Sequence, residues 1–257
     1  MRVAADWRGV GIAILTSTLL LASLGLAEDR VSAYPTQVQL SARAPSGLLT
    51  IQNLGDEPLR FQLSLVAWEQ TPTGEHRFAP TQDVVCFPPL LSLEPGEKRP
   101  IRIGATAAVG AVEKTYRVFI EQLPPLRSPE KSGAESQVRV LTRLGVPIFL
   151  APVKPMAGRG IELADVAPGR ISLVVKNKGN VHFQFRKVRL IALGTAGEQV
   201  FERELPGAYV LAGGSRVYPL EVDAANCPKV ARLEVEVTTE KDSFGERLDF
   251  PPGVCAR

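Results

Sequence analysis

The sequence has few residues that carry acid–base or metal chemistry. Its 257 residues include two histidines, His76 and His182, which lie far apart in the chain. Two histidines are too few to suggest a metal site or a His-dependent catalytic set. A glycine-rich phosphate loop with its lysine is also missing. We expect no metal, no cofactor, no small-molecule substrate and no enzymatic activity. The acidic residues Glu94, Glu97 and Glu113 are predicted to lie on solvated loops.

An excess of charge of one sign is missing as well. Thirty lysines and arginines face 27 aspartates and glutamates, so the formal net charge is +3. A balance this close to neutral gives no reason to expect nucleic acid or an anionic surface as the partner.

Long hydrophobic runs are absent except at the N-terminus. Arg2 and Arg8 precede an apolar run from Val10 to Leu26, and Gly25 and Ala27 place small residues at its end. This pattern predicts a cleavable secretory signal over residues 1–27, cut before Glu28. An uncleaved membrane anchor is the alternative, since the run is almost long enough to span a bilayer. Cleavage would leave 230 residues, a length typical of two domains, with a net charge of about +2.

Cysteine is scarce too, with three residues in the chain. Export places them in an oxidising compartment, where Cys227 and Cys255 are the natural pair because both lie in the C-terminal half. Cys86 is then left over. We expect it to act as a small buried hydrophobic residue rather than as a reactive thiol.

The hydrophobic pattern indicates strands and no long amphipathic helix. Alternation and turn residues predict strands at 48–53, 59–68, 100–103, 115–123, 137–149, 170–176, 182–193, 199–204, 215–222, 231–238 and 246–250. Prolines and glycines between 147 and 160 interrupt this pattern. We therefore expect an all-β protein with an antiparallel sandwich over residues 28–150 and a second all-β domain over 151–257.

The segment from 137 to 149 is the most informative of these strands. Its apolar side chains fall on one face, and Thr142 is the only polar residue in the row: Val138, Val140, Leu144, Val146 and Ile148. A polar segment, residues 127–136, comes directly before it. An exposed apolar strand is normally an aggregation hazard. Its presence is understandable if the strand is lent to another protein.

Several segments together resemble the periplasmic pilus-assembly chaperones, the PapD-like family. In the first half these are residues 31–40 (VSAYPTQVQL), 49–55 (LTIQNLG), 87–103 (FPPLLSLEPGEKRPIRI), 116–124 (YRVFIEQLP) and 146–149 (VPIF). In the second half, residues 176–182 (KNKGNVH) and 205–211 (LPGAYVL) resemble the archaic, or Csu-like, branch. The order and spacing of the segments make the resemblance specific.

The resemblance implies a fold, a partner and a mechanism. Such chaperones are two immunoglobulin-like sandwiches in an L-shaped arrangement. They work in the periplasm, where they insert a strand called G1 into the open groove of a pilus or fimbrial subunit and then pass the subunit to an outer-membrane usher. This is strand addition to an exposed sheet edge. The implied donor residues here are Val138, Val140, Leu144 and Val146.

The chain departs from the family pattern at the residues that bind the subunit's terminal carboxylate. The family's arginine on the first strand and lysine on G1 align with Gln37 and Pro147, and neither carries a positive charge. The arginine that ends G1 and joins an interdomain ion network aligns with Ala151. The resemblance leaves three candidates for the missing cations: Arg117, Arg143 and Arg102.

Two other protein classes stay open at this point. The chain could be a structural pilus component, although subunits are usually single incomplete domains. It could also be a secreted two-domain β-sandwich module that acts in adhesion or inhibition, because composition alone does not separate such modules from chaperones.

Overall fold

The structure is a computed structural model that describes residues 31–125, 140–251 and 254–255. These residues form strands throughout, with a single 3₁₀ turn at Cys227–Lys229. None of them belongs to a helix long and apolar enough to cross a membrane. The predicted signal (1–27), the polar segment 127–136 and Val138 lie outside the described residues.

Ten strands form the first sandwich. They are β1 (Val31–Tyr34), β2 (Val38–Leu40), β3 (Ser46–Asn53), β4 (Leu59–Gln70), β5 (His76–Pro80), β6 (Val84–Phe87), β7 (Leu90–Leu93), β8 (Lys98–Ala105), β9 (Lys114–Leu123) and β10 (Arg143–Leu150). A four-stranded sheet has the order β1-β3-β8-β6, and a six-stranded sheet has the order β2-β10-β9-β4-β5, with β7 also paired to β4. Their facing side chains make one apolar core, which includes Leu49, Phe61, Ile101 and Ile120.

Seven strands form the second sandwich. They are β11 (Arg159–Ala167), β12 (Arg170–Asn177), β13 (Phe183–Leu193), β14 (Gln199–Val210), β15 (Ser215–Glu221), β16 (Arg232–Thr239) and β17 (Ser243–Asp249). The sheets have the orders β11-β12-β15 and β14-β13-β16-β17. The core between them includes Leu173, Phe185, Leu190 and Leu233. The prediction of an all-β protein made of two sandwiches is confirmed.

Strand pairing supports the proposed division of the chain into residues 28–150 and 151–257. The pairs that the structure describes join β1–β10 to one another and β11–β17 to one another. Pro147, which we expected to interrupt the pattern, lies inside β10. A proline is tolerated there because β2 pairs only with Ile148, Phe149 and Leu150 of β10. No neighbouring strand therefore requires a backbone N–H from position 147 on that side of β10.

One buried asparagine ends the corresponding strand in each sandwich. Asn53 closes β3, where its Nδ2 donates to the carbonyls of Glu57 (2.8 Å) and Leu93 (3.1 Å) and its Oδ1 accepts from the N–H of Gly55. Asn177 closes β12 and makes the same set of bonds, to Val181, Val210 and Gly179. Each asparagine thus satisfies backbone groups that a strand-to-turn corner would otherwise bury unpaired.

The second domain holds the predicted disulfide. Cys227 and Cys255 are bonded, while Cys86 is free and half-buried against the first core. Burial raises the pKa of the Cys86 thiol, which keeps it protonated and unreactive at neutral pH.

Candidate functional site

The outer face of the six-stranded sheet, the side turned away from the first core, gathers cations and aromatic rings. Register fixes its membership, because alternate residues of a strand share a face. Arg117 on β9 lies directly opposite Pro147 on β10 and Val66 on β4. Phe119, one step along the same face, lies opposite Gly145, and Glu121 lies opposite Arg143.

Arg117 is the central cation of this face. Its guanidinium lies over the Trp68 ring at 4.3 Å and near Phe78 at 5.7 Å. Half-burial lowers the pKa of Arg117, yet the group stays charged at neutral pH. Among the described residues no carboxylate pairs with Arg117, and its buried Nε has no hydrogen-bond partner. A half-buried cation with an unused donor is suited to binding an anion from another molecule.

Arg143 shares the face but is already engaged. Its Nε lies 2.7 Å from Oε1 of Glu121, and its guanidinium covers the Phe119 ring at 3.9 Å. Gly145 keeps the space between the two arginines free. A Cβ at position 145 would lie 3.1 Å from Phe119 Cε1 and 3.2 Å from Arg117 Cδ.

Arg102 does not join the other two candidates. It lies on β8 of the four-stranded sheet, opposite Leu48 and Phe87, where its Nη1 lies 3.4 Å from Oγ of Ser46. The two sheets pack face to face through the first core. Arg102 and Arg117 therefore lie on the two opposite outer faces of the sandwich. Of the three candidate cations, Arg102 therefore lies apart from Arg117 and Arg143.

The predicted apolar row on β10 runs from exposed to buried. Ile148 and Val146 are 0% and 6% exposed, Leu144 is half-buried against the same core, and Val140 is 82% exposed. The strand itself is shorter than predicted, since it begins at Arg143. Of residues 140–142, which precede it, Thr142 is hydrogen-bonded to Gln122 of β9. The end of the row at Val140 is thus not covered by the sandwich to which Leu144 and Val146 belong.

A second feature, which the sequence did not reveal, is the contact between the sandwiches. Phe149, on the same side of β10 as Pro147, stacks on the His182 ring at 3.5 Å between centroids. Tyr209 lies edge-on to Trp68 at 5.6 Å. Trp68 is buried between the two sandwiches, where it contacts Phe149 and Tyr209, rather than in a sandwich core. The signal for this contact in the sequence was weak: Phe149 falls on the side opposite the apolar row, and Leu141 is also on that side.

Glu113 corrects a prediction. It is 8% exposed, and its Oε2 lies 2.7 Å from both the backbone N and the Nδ1 of His182. Its own N–H donates to the carbonyl of Asn180 at 2.9 Å. Glu113 therefore lies at the junction of the sandwiches instead of on a solvated loop, because its carboxylate supplies the acceptor that the turn at residues 180–182 needs. Glu97 does lie in a turn, directly before β8, where it pairs with the neighbouring Arg99.

No group of three or more potential metal ligands occurs within the described parts of the chain. The site is thus a surface made of aromatic rings, an uncovered apolar row and a cation, Arg117, that has no carboxylate partner among the described residues. Such a surface fits the binding of another polypeptide.

Comparison with known proteins identifies the family. The profile for "Pili and flagellar-assembly chaperone, PapD N-terminal domain" matches residues 30–155, which include all of β1–β10. This part of the chain, just under half of its length, belongs to the PapD-like family of pilus-assembly chaperones, which are not enzymes. A search of curated protein sequences finds no match.

Solved structures share the two-domain fold at low sequence identity. The YadV chaperone matches with a TM-score of 0.61 and 15% identity, over 85% of this chain and all of that one (100%). The CsuC–CsuE chaperone–tip adhesion subunit complex of archaic Csu pili from Acinetobacter baumannii gives 0.57 and 15%, over 84% and 97%. The Salmonella enterica SafA pilin–SafB chaperone complex gives 0.56 and 18%, over 85% and 96%. These likenesses concern the fold.

Proposed function

We propose that this protein is a periplasmic chaperone that caps pilus or fimbrial subunits by donating a strand and delivers them to an outer-membrane usher. Its family supports the role in pilus assembly. Proteins of the same fold occur in complexes with a pilin and with a tip adhesion subunit, which supports subunits as the partners. Delivery to an usher rests on the family resemblance.

The burial gradient along β10 carries the proposal. Val146 and Leu144 belong to the first core, while Val140, next but one in the same row, is exposed to solvent. An apolar row that leaves its own sandwich can continue into the core of a second, incomplete one. Backbone hydrogen bonds would then join the strands, and alternate side chains would fill pockets. Val138 would extend the row by one position, and Val146 would bind if the register were shifted by one pair.

Arg117 is the proposed anchor for the subunit's terminal carboxylate. The family's G1 lysine aligns with Pro147, and Arg117 is the cross-strand neighbour of Pro147 on the same face. Opposed residues of an antiparallel pair have their Cβ atoms about 4.5–5.5 Å apart. Arg117 on β9 can therefore supply the positive charge that Pro147 on β10 lacks. Arg143 can assist only by exchanging its bond to Glu121 for one to the subunit.

The compartment follows from two features of the chain. The predicted signal over residues 1–27 would export it, and the Cys227–Cys255 disulfide is stable in an oxidising compartment such as the periplasm. Both features are compatible with a periplasmic location, which the family resemblance implies.

Substitution of Val140 tests donor-strand capture. Burying a valine contributes about 1.5–3 kcal/mol, and a carboxylate in an apolar pocket adds a desolvation cost. Val140→Asp should therefore abolish capture of a co-expressed pilus subunit while circular dichroism shows a folded chaperone. Val153→Asp is the matched control, since Val153 is 76% exposed and lies outside the row.

The measurement is the amount of soluble one-to-one complex in periplasmic extracts. Wild-type amounts of complex with a folded Val140→Asp protein would show that this strand is not the donor. Polymerisation of the isolated chain, in place of a one-to-one complex, would instead identify a structural pilus component.

A further inference from the structure

The turn between β4 and β5, residues 71–75, is held in shape by its own hydrogen bonds. The N–H of Gly74 donates to the carbonyl of Thr71 at 2.8 Å, and the N–H of Thr71 donates to the carbonyl of Glu75 at 3.0 Å. Thr71 Oγ1 accepts from the N–H of Glu75 at 3.0 Å. Gly74 has a φ of 91°, a conformation that favours glycine. The turn therefore presents its other backbone groups in fixed directions.

Two carbonyls of this turn are bonded to the second sandwich. The carbonyl of Pro72 accepts from the N–H of Val217 at 2.9 Å, and the carbonyl of Thr73 accepts from Nη1 of Arg216. Both donors belong to β15, which lies at the edge of its sheet. The turn of the first sandwich thus covers part of a sheet edge of the second. We call this contact, made by Pro72, Thr73, Arg216 and Val217, the β15 latch.

Arg216 is held in place on both sides of the latch. On β15 its guanidinium lies over the Tyr218 ring at 5.3 Å, within the range of a cation–π contact. Tyr218 is itself buried, and its hydroxyl donates to the carbonyl of Pro206 at 2.5 Å. On the turn, a Cβ at Gly74 would collide with the Arg216 guanidinium. The latch therefore needs both the arginine and the glycine.

The latch lies beside the groups that support Arg117. Trp68 comes shortly before the turn on β4, and His76 follows the turn as the first residue of β5. Trp68 Nε1 donates to His76 Nδ1 at 2.9 Å, and the Trp68 ring lies 4.3 Å from the Arg117 guanidinium. Arg216 is close enough to His76 that its charge, after burial and the charge of Arg117, lowers the pKa of His76. Contacts thus lead from β15 through the turn to Arg117.

We propose that Arg216 is a positioning residue, which holds the turn against β15 and so keeps Trp68 and Arg117 in the orientation that binds the subunit's terminal carboxylate. This inference rests on the proposed function of Arg117 as the anchor. Arg216 acts through the carbonyl of Thr73 rather than by contact with the subunit. The second sandwich then contributes to carboxylate binding by fixing a turn of the first.

Peptides with the last residues of one pilus subunit test this role. One form ends in a free carboxylate and the other in an amide. Titration followed by the fluorescence of Trp68, the only tryptophan outside residues 1–27, gives a dissociation constant for each. The wild type should prefer the free carboxylate. Arg216→Ala should reduce that preference about 2- to 30-fold, the range for coupling carried through intervening residues, and should leave the affinity for the amide unchanged.

Three further variants separate positioning from other roles. Arg216→Lys keeps a donor for the Thr73 carbonyl and should restore most of the preference. Gly74→Ala keeps the charge of Arg216 but displaces its guanidinium, so it should lower the preference as Arg216→Ala does. Arg247→Ala is the matched control, because it removes an ion pair to Glu234 (2.8 Å) inside the second sandwich. It should leave the preference unchanged.

Two outcomes would overturn the positioning role alone. The first is full carboxylate preference in an Arg216→Ala protein that is folded by circular dichroism. The second is full preference in Gly74→Ala together with its loss in Arg216→Ala, which would show that Arg216 binds the carboxylate directly. A wild type without any preference would overturn the anchoring role of Arg117, and the positioning role with it. Capture through Val140 is not measured here, so these outcomes leave the donor-strand proposal untouched.

Discussion

Arg117 on β9 and Pro147 on β10 lie directly opposite each other, which puts the Arg117 side chain beside the position to which the family resemblance assigns the G1 lysine. The ring of Trp68 holds the guanidinium from one side at 4.3 Å, so its direction is fixed before any partner arrives. A preorganised cation loses little conformational entropy on binding.

Neutralising Arg117 should weaken subunit binding without unfolding the protein. A charge-assisted hydrogen bond contributes about 1.5–3 kcal/mol, so Arg117→Gln should raise the dissociation constant of the chaperone–subunit complex about 10- to 100-fold. Arg102→Gln, on the opposite side of the sandwich, is the control. Titration of both variants with one subunit is decisive, and equal affinities would remove Arg117 from the site.

The unfolding free energy should fall in acid because of His76. Burial first, and then Arg117 and Arg216, lower the pKa of His76, and its Nδ1 accepts a hydrogen bond from Trp68 Nε1 at 2.9 Å. The unfolded chain takes up a proton near pH 6.5, whereas the folded chain takes it up only at lower pH. Stability is therefore greatest above about pH 6.5 and declines as the pH falls toward the lowered pKa of the folded protein.

Urea titrations at several pH values, followed by tryptophan fluorescence, measure this loss. His76→Gln keeps an acceptor for Trp68 but does not titrate, so its stability should depend less on pH between neutrality and mild acid. If the stability of the variant and of the wild type depended on pH in the same way, titratable groups other than His76 would cause the loss in acid.

Reduction of the Cys227–Cys255 bond should destabilise the second sandwich. The two cysteines are 28 residues apart, and closing a loop of that length is worth about 3.5 kcal/mol in the chain-entropy model. The bond also retains Val254, which is fully buried and whose carbonyl accepts from Gly169 at 2.7 Å. Urea unfolding of the double serine variant should show the loss, and Cys86→Ser should show little. Unreduced peptide maps that link Cys86 would contradict the pairing.

Truncation of the corner asparagines should cost similar stability in both sandwiches. Asn53→Ala and Asn177→Ala each leave buried carbonyls without their donor, at a cost of about 1–3 kcal/mol of unfolding free energy. Gln39→Ala, at an exposed position of β2, should be close to neutral. If Asn53→Ala matched the Gln39 variant in chemical denaturation, the corner bonds would be dispensable.

Strand prediction from the sequence worked best where one face meets a core. The predicted strands at 59–68 and 115–123 are β4 and β9, because alternation there reports burial on a single side. Short strands without alternation, such as β6 and β7, were missed. Each has four residues and joins a different sheet, so no local period marks it.

The candidate site was only partly accessible to prediction. Arg117, Arg143 and Arg102 were equivalent in the sequence, since each lies on a strand and alternates with apolar residues. Sheet pairing separated them, because it placed Arg102 on a different sheet and gave Glu121 to Arg143. These pairings join residues far apart in the chain, and local pattern carries no information about them.

The sequence by itself determined the all-β class, the paired cysteines and the one-sided apolar row of β10, because strand periodicity, cysteine number and residue parity are local properties. Tertiary structure decided that Glu121 pairs with Arg143, that Glu113 binds His182, and that Leu48, Arg102 and Phe87 share one row. Those outcomes depend on which strands become neighbours. Strand neighbours are determined by the burial of all the apolar faces in one core, and each segment of the sequence contributes only part of that core.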